Sequence, residues 1–281
     1  DNISLMLFSI FINELAVKIK NLKMGIPVED EKISILLYAD DIALVTENER
    51  DMQVVLDVLN KWCEKWRLNV NSAKSSVMHF RKGRIPRTSS TFKIGNEQLQ
   101  IVEQYKYLGV IFSEKLKYTA AADAFAKAGG RALGAAISKV HSYKEIGFKT
   151  FETVFNFCVS PVLDYCSGVW GYNTYHGIDM IQNRAVRYFC GLHRFAPTIA
   201  LNSELGWLPP TQRHWLDMVR LWNRLILMDD ERLTKKVFEW EYKNNGLWCT
   251  HVMNIFNKLG ISNFYETKQT VDIQEAKEKL L

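Results

Sequence analysis

The spacing of apolar positions changes part-way along this chain, and the change predicts two regions of different architecture. Near the amino end the apolar residues come in short blocks. Ile33-Ser34-Ile35-Leu36-Leu37-Tyr38 and Ile42-Ala43-Leu44-Val45 are rich in Ile, Leu and Val and too brief for helices, so both read as strands. The Asp40-Asp41 pair falls where a tight turn would join them into a hairpin. Between Asp51 and Trp66 the apolar residues Met52, Val55, Leu56, Leu59, Trp62, Cys63 and Trp66 recur at helical spacing, and Asn48 with Asp51 three residues on marks the start of that helix. Phe92 to Val102 reads as a hairpin turning at Gly95-Asn96, and Tyr105 to Phe112 as a further strand.

From Thr119 onward helical periodicity takes over. Thr119 can cap an Ala-rich helix running to about Val140. Gly147 precedes a helix carrying Phe148, Phe151, Val154, Phe155, Cys158 and Val159, which Pro161 kinks or ends. Ile178, Ile181, Ala185, Tyr188 and Phe189 mark another helix ending at Gly191. Pro210 opens one that turns Trp215, Met218, Val219, Trp222, Leu225 and Ile226 inward and sets Arg213, Arg220 and Arg224 on its other face. Residues 236–281 suggest one or two charged helices. Trp170, Trp207 and Trp248 read as packing residues ahead of base-stacking platforms.

With 281 residues and 47% apolar content, the chain can bury a sizeable core, and two domains are expected. No apolar run reaches membrane-spanning length and no signal-peptide pattern opens the chain, so a soluble intracellular protein of nucleus or cytoplasm is expected. Five dispersed cysteines argue against a disulfide framework, and neither Cys190-Gly191-Leu192-His193 nor Cys249-Thr250-His251 completes a zinc-ligand set. The net charge of +5 is unevenly distributed: between Lys61 and Lys93 nine basic residues, Lys82, Arg84 and Arg87 among them, face the single acid Glu64, an excess of eight. That stretch is suited to phosphate, although its Gly, Pro and Ser also fit a solvated connector. The Arg213, Arg220 and Arg224 face carries the same two readings, a grip on a nucleic-acid backbone or a solvated surface.

The Asp pair is the chemically informative feature. Adjacent like charges repel, so the arrangement is costly unless a cation neutralises it, and hard oxygen ligands suit Mg²⁺ or Mn²⁺. Asp is also simply favoured in turns, and on residue type alone both readings stand.

Tyr38-Ala39-Asp40-Asp41 resembles the palm signature of reverse transcriptases, and Leu36-Leu37-Tyr38-Ala39-Asp40-Asp41-Ile42-Ala43-Leu44 is similar to the non-LTR (LINE-type) retrotransposon version. Further matches occur in the family's order. Asp1 to Leu15 resembles the end of its Gln-Gly-(Asp)-x-Leu-Ser-Pro-x-Leu-Phe segment, with Leu5 in place of Pro. Trp66 to Phe80 resembles Gly-Leu-x-x-Asn-x-x-Lys-Thr, with Arg67 for Gly and Ser75 for Thr. Tyr105-Lys106-Tyr107-Leu108-Gly109-Val110 resembles the primer-grip hairpin. The resemblance covers residues 1 to about 113.

It implies an α+β fold: a partial polymerase palm over 1–115, an antiparallel sheet with covering helices, then an all-α thumb-like bundle over 116–235 and a helical extension over 236–281. It also implies RNA-directed DNA polymerase activity, a nucleotidyl transfer with an RNA template, a DNA primer, deoxynucleoside triphosphates and Mg²⁺ or Mn²⁺. Asp40 and Asp41 would be the catalytic metal ligands, with Asp40 the first choice. Lys74 would approach the triphosphate, and Tyr107, Leu108 and Gly109 would position the primer end, Gly109 allowing close backbone approach. The family's first palm carboxylate and its fingers are not in this sequence, which also lacks an initial Met. The expectation is therefore an amino-terminally truncated, inactive fragment of a polyprotein, a truncated element copy or an incomplete gene model. The alternative is a non-catalytic nucleic-acid-binding remnant.

Overall fold

The computed structural model describes residues 2–142, 146–193, 195–197, 202 and 205–280, with the side chains of 2–5 and 142 left aside. The chain divides into two compact units, Asp1–Tyr105 with Ser113–Leu116, and Lys106–Phe112 with Lys117–Leu281.

The first unit is built on two helices, α1 (Asn2–Asn21) and α2 (Glu49–Trp66). Ile12, Leu15, Ala16 and Ile19 recur on one face of α1, and Val55, Leu56, Leu59, Trp62 and Cys63 on one face of α2; both sets are buried in one cluster. Removing an aromatic such as Trp62 from this cluster would cost about 3–5 kcal/mol. The start of α2 is where the sequence puts it: Asn48 accepts from the Asp51 amide at 2.9 Å and donates to the Asp51 carboxylate at 2.9 Å. Glu14 on α1 accepts from both Trp62 Nε1 (3.2 Å) and Trp66 Nε1 (2.9 Å) and pairs with Lys65 (2.8 Å) and Lys18 (3.0 Å). Those contacts, Lys65 foremost, hold its carboxyl down at about 2.

The strands are β1 (Ile26–Val28), β2 (Glu31–Ile33), β3 (Ile35–Tyr38), β4 (Asp41–Leu44), β5 (Ser76–Val77), β6 (Phe92–Ile94), β7 (Glu97–Ile101), β8 (Gln104–Tyr107) and β9 (Val110–Ser113). The expected single antiparallel sheet is not what they make. Among the described residues they form separate small sheets, β1-β2, β3-β4, β5-β7-β6 and β8-β9, and β5 runs parallel to β7. The reason is local: each hairpin satisfies one edge of each strand within itself, and strands of two to five residues offer little ladder to a further neighbour. Helix α2 braces the β6 edge directly, since Gln53 accepts from the Lys93 amide (3.0 Å) and donates to its carbonyl (2.9 Å).

The second unit is mainly helical. It contains α3 (Thr119–Ser142), α4 (Phe148–Val154), a π-helical turn (Phe155–Val159), α5 (Ser160–Leu163), α6 (Ser167–Trp170), α7 (His176–Cys190) and α8 (Pro210–Ile226). The helix that Gly147 precedes is interrupted at Pro161, in line with the sequence. Lacking an N–H, Pro161 sits at the start of α5, and the turn before it widens into the π form. Helix α7 ends at Gly191 as the sequence predicts, with Gly191 at φ +62°. Residues 236–281 hold more than the one or two helices expected: α9 (Leu233–Lys243), α10 (Leu247–Leu259), α11 (Ser262–Glu266) and α12 (Ile273–Glu278) pack on α8 around Trp222, whose ring lies 5.5 Å from Phe238, 5.3 Å from Phe256 and 5.1 Å from Tyr265. In α10 the pattern was there to be read: Cys249, Val252, Ile255, Phe256 and Leu259 recur at helical spacing with Lys258 the one charge among them. Trp170 and Trp207 are buried in a second aromatic core with Phe151 and Phe155, in keeping with packing roles, and all five cysteines are free thiols.

Candidate active site and nucleic-acid interface

The β3-β4 hairpin pairs Ile35 with Leu44 and Tyr38 with Asp41, so the two-residue turn at its tip is Ala39-Asp40 and not the Asp pair itself. Asp41 is already the first residue of β4. Ala39 adopts φ +50°, a left-handed conformation that costs an L-residue about 1 kcal/mol or more. The strain places two consecutive carboxylates on an exposed tip, and neither makes an ion pair among the described residues. Tyr38, Leu37 and Leu36 beside them are 64%, 37% and 38% exposed.

Two adjacent hard oxygen donors fit Mg²⁺ or Mn²⁺ chemically, because Mg²⁺ is commonly held by one or two carboxylates and completes its shell from water and phosphate. Among the described residues no group of three His, Cys, Asp or Glu side chains converges to enclose an ion. The hairpin therefore presents two adjacent carboxylates and, among the described residues, no closed metal site.

Lys74 lies in the turn before β5, not on a strand. Asn71 shapes that turn, its carbonyl and its side-chain oxygen accepting from the Lys74 amide at 3.1 and 3.2 Å. Tyr105 fixes it from outside by donating to the Lys74 carbonyl at 2.7 Å. The Lys74 side chain is exposed, and no ion pair joins it to either Asp among the described residues.

The stretch from Tyr105 to Phe112, expected as one strand, is the β8-β9 hairpin. Leu108 and Gly109 form its turn with φ +46° and +86°, the two left-handed positions that a type I′ turn demands. Tyr107 closes β8. The close approach that Gly109 permits is made from within the protein: a Cβ there would meet the Tyr165 ring at 3.0 Å.

The basic stretch is less available than its sequence suggests. Arg81 donates to Glu114 at 2.5 Å, and Arg87 reaches Glu114 at 2.8 Å and Glu103 at 2.5 Å. Arg81, then Arg87, hold the Glu114 carboxyl at about 2. Lys82 and Arg84 stay exposed around the Gly83 turn. The two glutamates lie beyond the window in which the charge excess was counted, and nothing in the local pattern pointed to them.

Arg213 is also committed to the fold. It forks onto Asp164 with its Nε and Nη2 at 3.0 and 3.1 Å, and bonds Gln182. His214, 1% exposed, contacts the same carboxylate at 2.9 Å. Burial is the largest influence on Asp164 and pushes its carboxyl up, but His214 and Arg213 outweigh it and hold it below the usual range. Arg220 is exposed and pairs with Asp217 at 2.6 Å, while Arg224 is exposed. Of the three arginines on the outer face of α8, only the last two point to solvent.

Residues 1–112 match the sequence family described as reverse transcriptase (RNA-dependent DNA polymerase). The chain is 29% identical over 100 residues to the RNA-directed DNA polymerase from mobile element jockey of Drosophila melanogaster, an alignment covering 33% of this chain and 10% of that protein. The corresponding protein of Drosophila funebris is 31% identical over 93 residues, covering 31% of this chain and 10% of its own length. The chain thus spans a small part of the relatives it matches. No solved structure matches it.

Proposed function

We propose, from the match of residues 1–112 to the reverse transcriptase family, that the chain supplies the carboxyl-side palm and adjoining thumb of a non-LTR retrotransposon RNA-directed DNA polymerase. The observation that carries this reading is the Tyr38-Ala39-Asp40-Asp41 hairpin, whose strained turn holds two carboxylates in solvent with no ion pair to either among the described residues. Divalent ions, when bound by Asp40 and Asp41, supply charge neutralisation at the phosphates and a lowered barrier to losing the primer hydroxyl proton. The chain's own residues do the rest. The β3-β4 hairpin fixes the ligand geometry, Lys74 offers a cation toward the triphosphate, and the Tyr107-Leu108-Gly109 turn orients the primer end. Lys82, Arg84, Arg220 and Arg224 attract the template–primer backbone, with Arg87 and Arg213 shaping the surfaces that carry them.

Primer extension on an RNA template with Mg²⁺ or Mn²⁺ tests the proposal. With two carboxylates and no third ligand beside them among the described residues, the chain alone should extend no primer above an Asp40→Ala, Asp41→Ala control. Complemented with the amino-proximal part of a jockey-type polymerase it should extend, and the double substitution should abolish that extension. A complemented protein that extends equally well without the two carboxylates overturns the reading. One that folds, binds template–primer and never extends favours the non-catalytic nucleic-acid-binding alternative.

A further inference from the structure

The Tyr165 side chain holds the Leu108-Gly109 turn. Tyr165 Oη donates to the Leu108 carbonyl at 3.1 Å, and its ring fills the space a Cβ on Gly109 would need, Cε1 lying 3.0 Å and Oη 3.5 Å from that position. Gly109 is thus required twice, for its φ of +86° and for the ring. Leu108 at φ +46° is strained as an L-residue, and the bond to its carbonyl helps to offset that strain.

Tyr165 is itself rigidly mounted. Its carbonyl accepts from the indole of the fully buried Trp170 at 2.9 Å, and its ring sits edge-on to Phe125 with centroids 5.9 Å apart. The preceding residue, Asp164, is the carboxylate gripped by Arg213 and His214. A chain of contacts therefore runs from the buried core of the second unit, through Asp164 and Tyr165, to the hairpin tip.

We infer that Tyr165 is a positioning residue for the primer end: it fixes the Leu108-Gly109 turn so that the hairpin presents one backbone geometry to the terminal sugar and phosphate of a nucleic-acid strand. The inference rests on the proposed primer-holding role of Tyr107, Leu108 and Gly109, and it adds the residue that sets their geometry. It also gives the Asp164 network a part in the site without any contact with substrate.

The test uses the full chain bound to an RNA template annealed to a DNA primer whose 3′-terminal nucleotide is photoreactive, with cross-links mapped by mass spectrometry. Wild-type protein should cross-link within residues 107–110. Tyr165→Phe keeps the ring and its packing and loses only the hydroxyl, so it should fold and still bind the hybrid. Its cross-link at 107–110 should fall about fivefold and spread to other residues, and the amides of 108–110 should exchange about fivefold faster, as loss of one hydrogen bond of about 1 kcal/mol predicts. A purely structural role would instead lower the melting temperature and total affinity together and leave the cross-link pattern in place. Wild-type protein that does not cross-link there overturns the primer-holding reading and this inference with it. Wild-type protein that cross-links, with Tyr165→Phe doing so equally and exchanging equally, overturns the inference alone.

Discussion

Asp40 and Asp41 in the first unit and Asp164 in the second are acids put to opposite uses. The hairpin pair stands in solvent, adjacent and without an ion pair among the described residues, whereas Asp164 is largely buried beneath Arg213 and His214, with three short contacts to its two oxygens. The difference teaches what burial demands of a carboxylate. A buried anion must be paired where it folds, because desolvation without a partner costs several kcal/mol. An exposed pair is tolerated because water screens the repulsion, and it stays open to an ion from outside.

The largest expected effect follows from the buried half of that contrast. Asp164→Ala leaves Arg213 and His214 without their anion and should lower stability by about 3 kcal/mol in urea unfolding. Asp40→Asn with Asp41→Asn should change it by about 0.5 kcal/mol or less, toward greater stability. Equal losses in the two variants would erase the distinction.

Acid should act on the same groups. Asp164, Glu14 and Glu114 are all held below their usual range, the last two at about 2 against an ordinary value of 4.5. Between those limits the unfolded chain binds more protons than the folded one, so stability is fully present above about pH 4.5 and drains away as the pH falls toward 2. Thermal melts across that range should show the loss, and Glu114→Gln should have a shallower acid slope than the parent. An identical slope would mean that the Arg81 and Arg87 pairs contribute nothing to it.

A smaller effect separates free cations from committed ones. If template–primer binding draws on the exposed pair, Lys82→Ala with Arg84→Ala should flatten the dependence of log affinity on log salt by about 1–2, whereas Arg87→Ala, whose guanidinium already serves Glu114 and Glu103, should flatten it less. Flattening by Arg87→Ala as large as that of the double variant would show that the ion pairs open on binding.

The smallest effect concerns the metal. Millimolar Mg²⁺ should raise the melting temperature by about 2 °C or less, and the Asp40→Asn, Asp41→Asn chain should not respond. A response retained by that chain would move the ion elsewhere.

The amino-acid order alone determined the features that depend on near neighbours. The Asn48 cap, the apolar face of α2, the Gly95 turn, the Gly191 stop and the β3-β4 hairpin are all decided within a few residues by hydrogen-bond reach, side-chain period and φ preference, and each was legible for that reason. Even there a shift of one residue separated Asp40 on the turn from Asp41 on the strand. What only the tertiary structure decided is which charges and glycines were already engaged: Arg87 with Glu114, Arg213 with Asp164, Gly109 with the Tyr165 ring. Those partners lie 27, 49 and 56 positions apart, a separation at which sequence carries no distance, because contact is set by how helices and hairpins pack and not by where they fall along the chain.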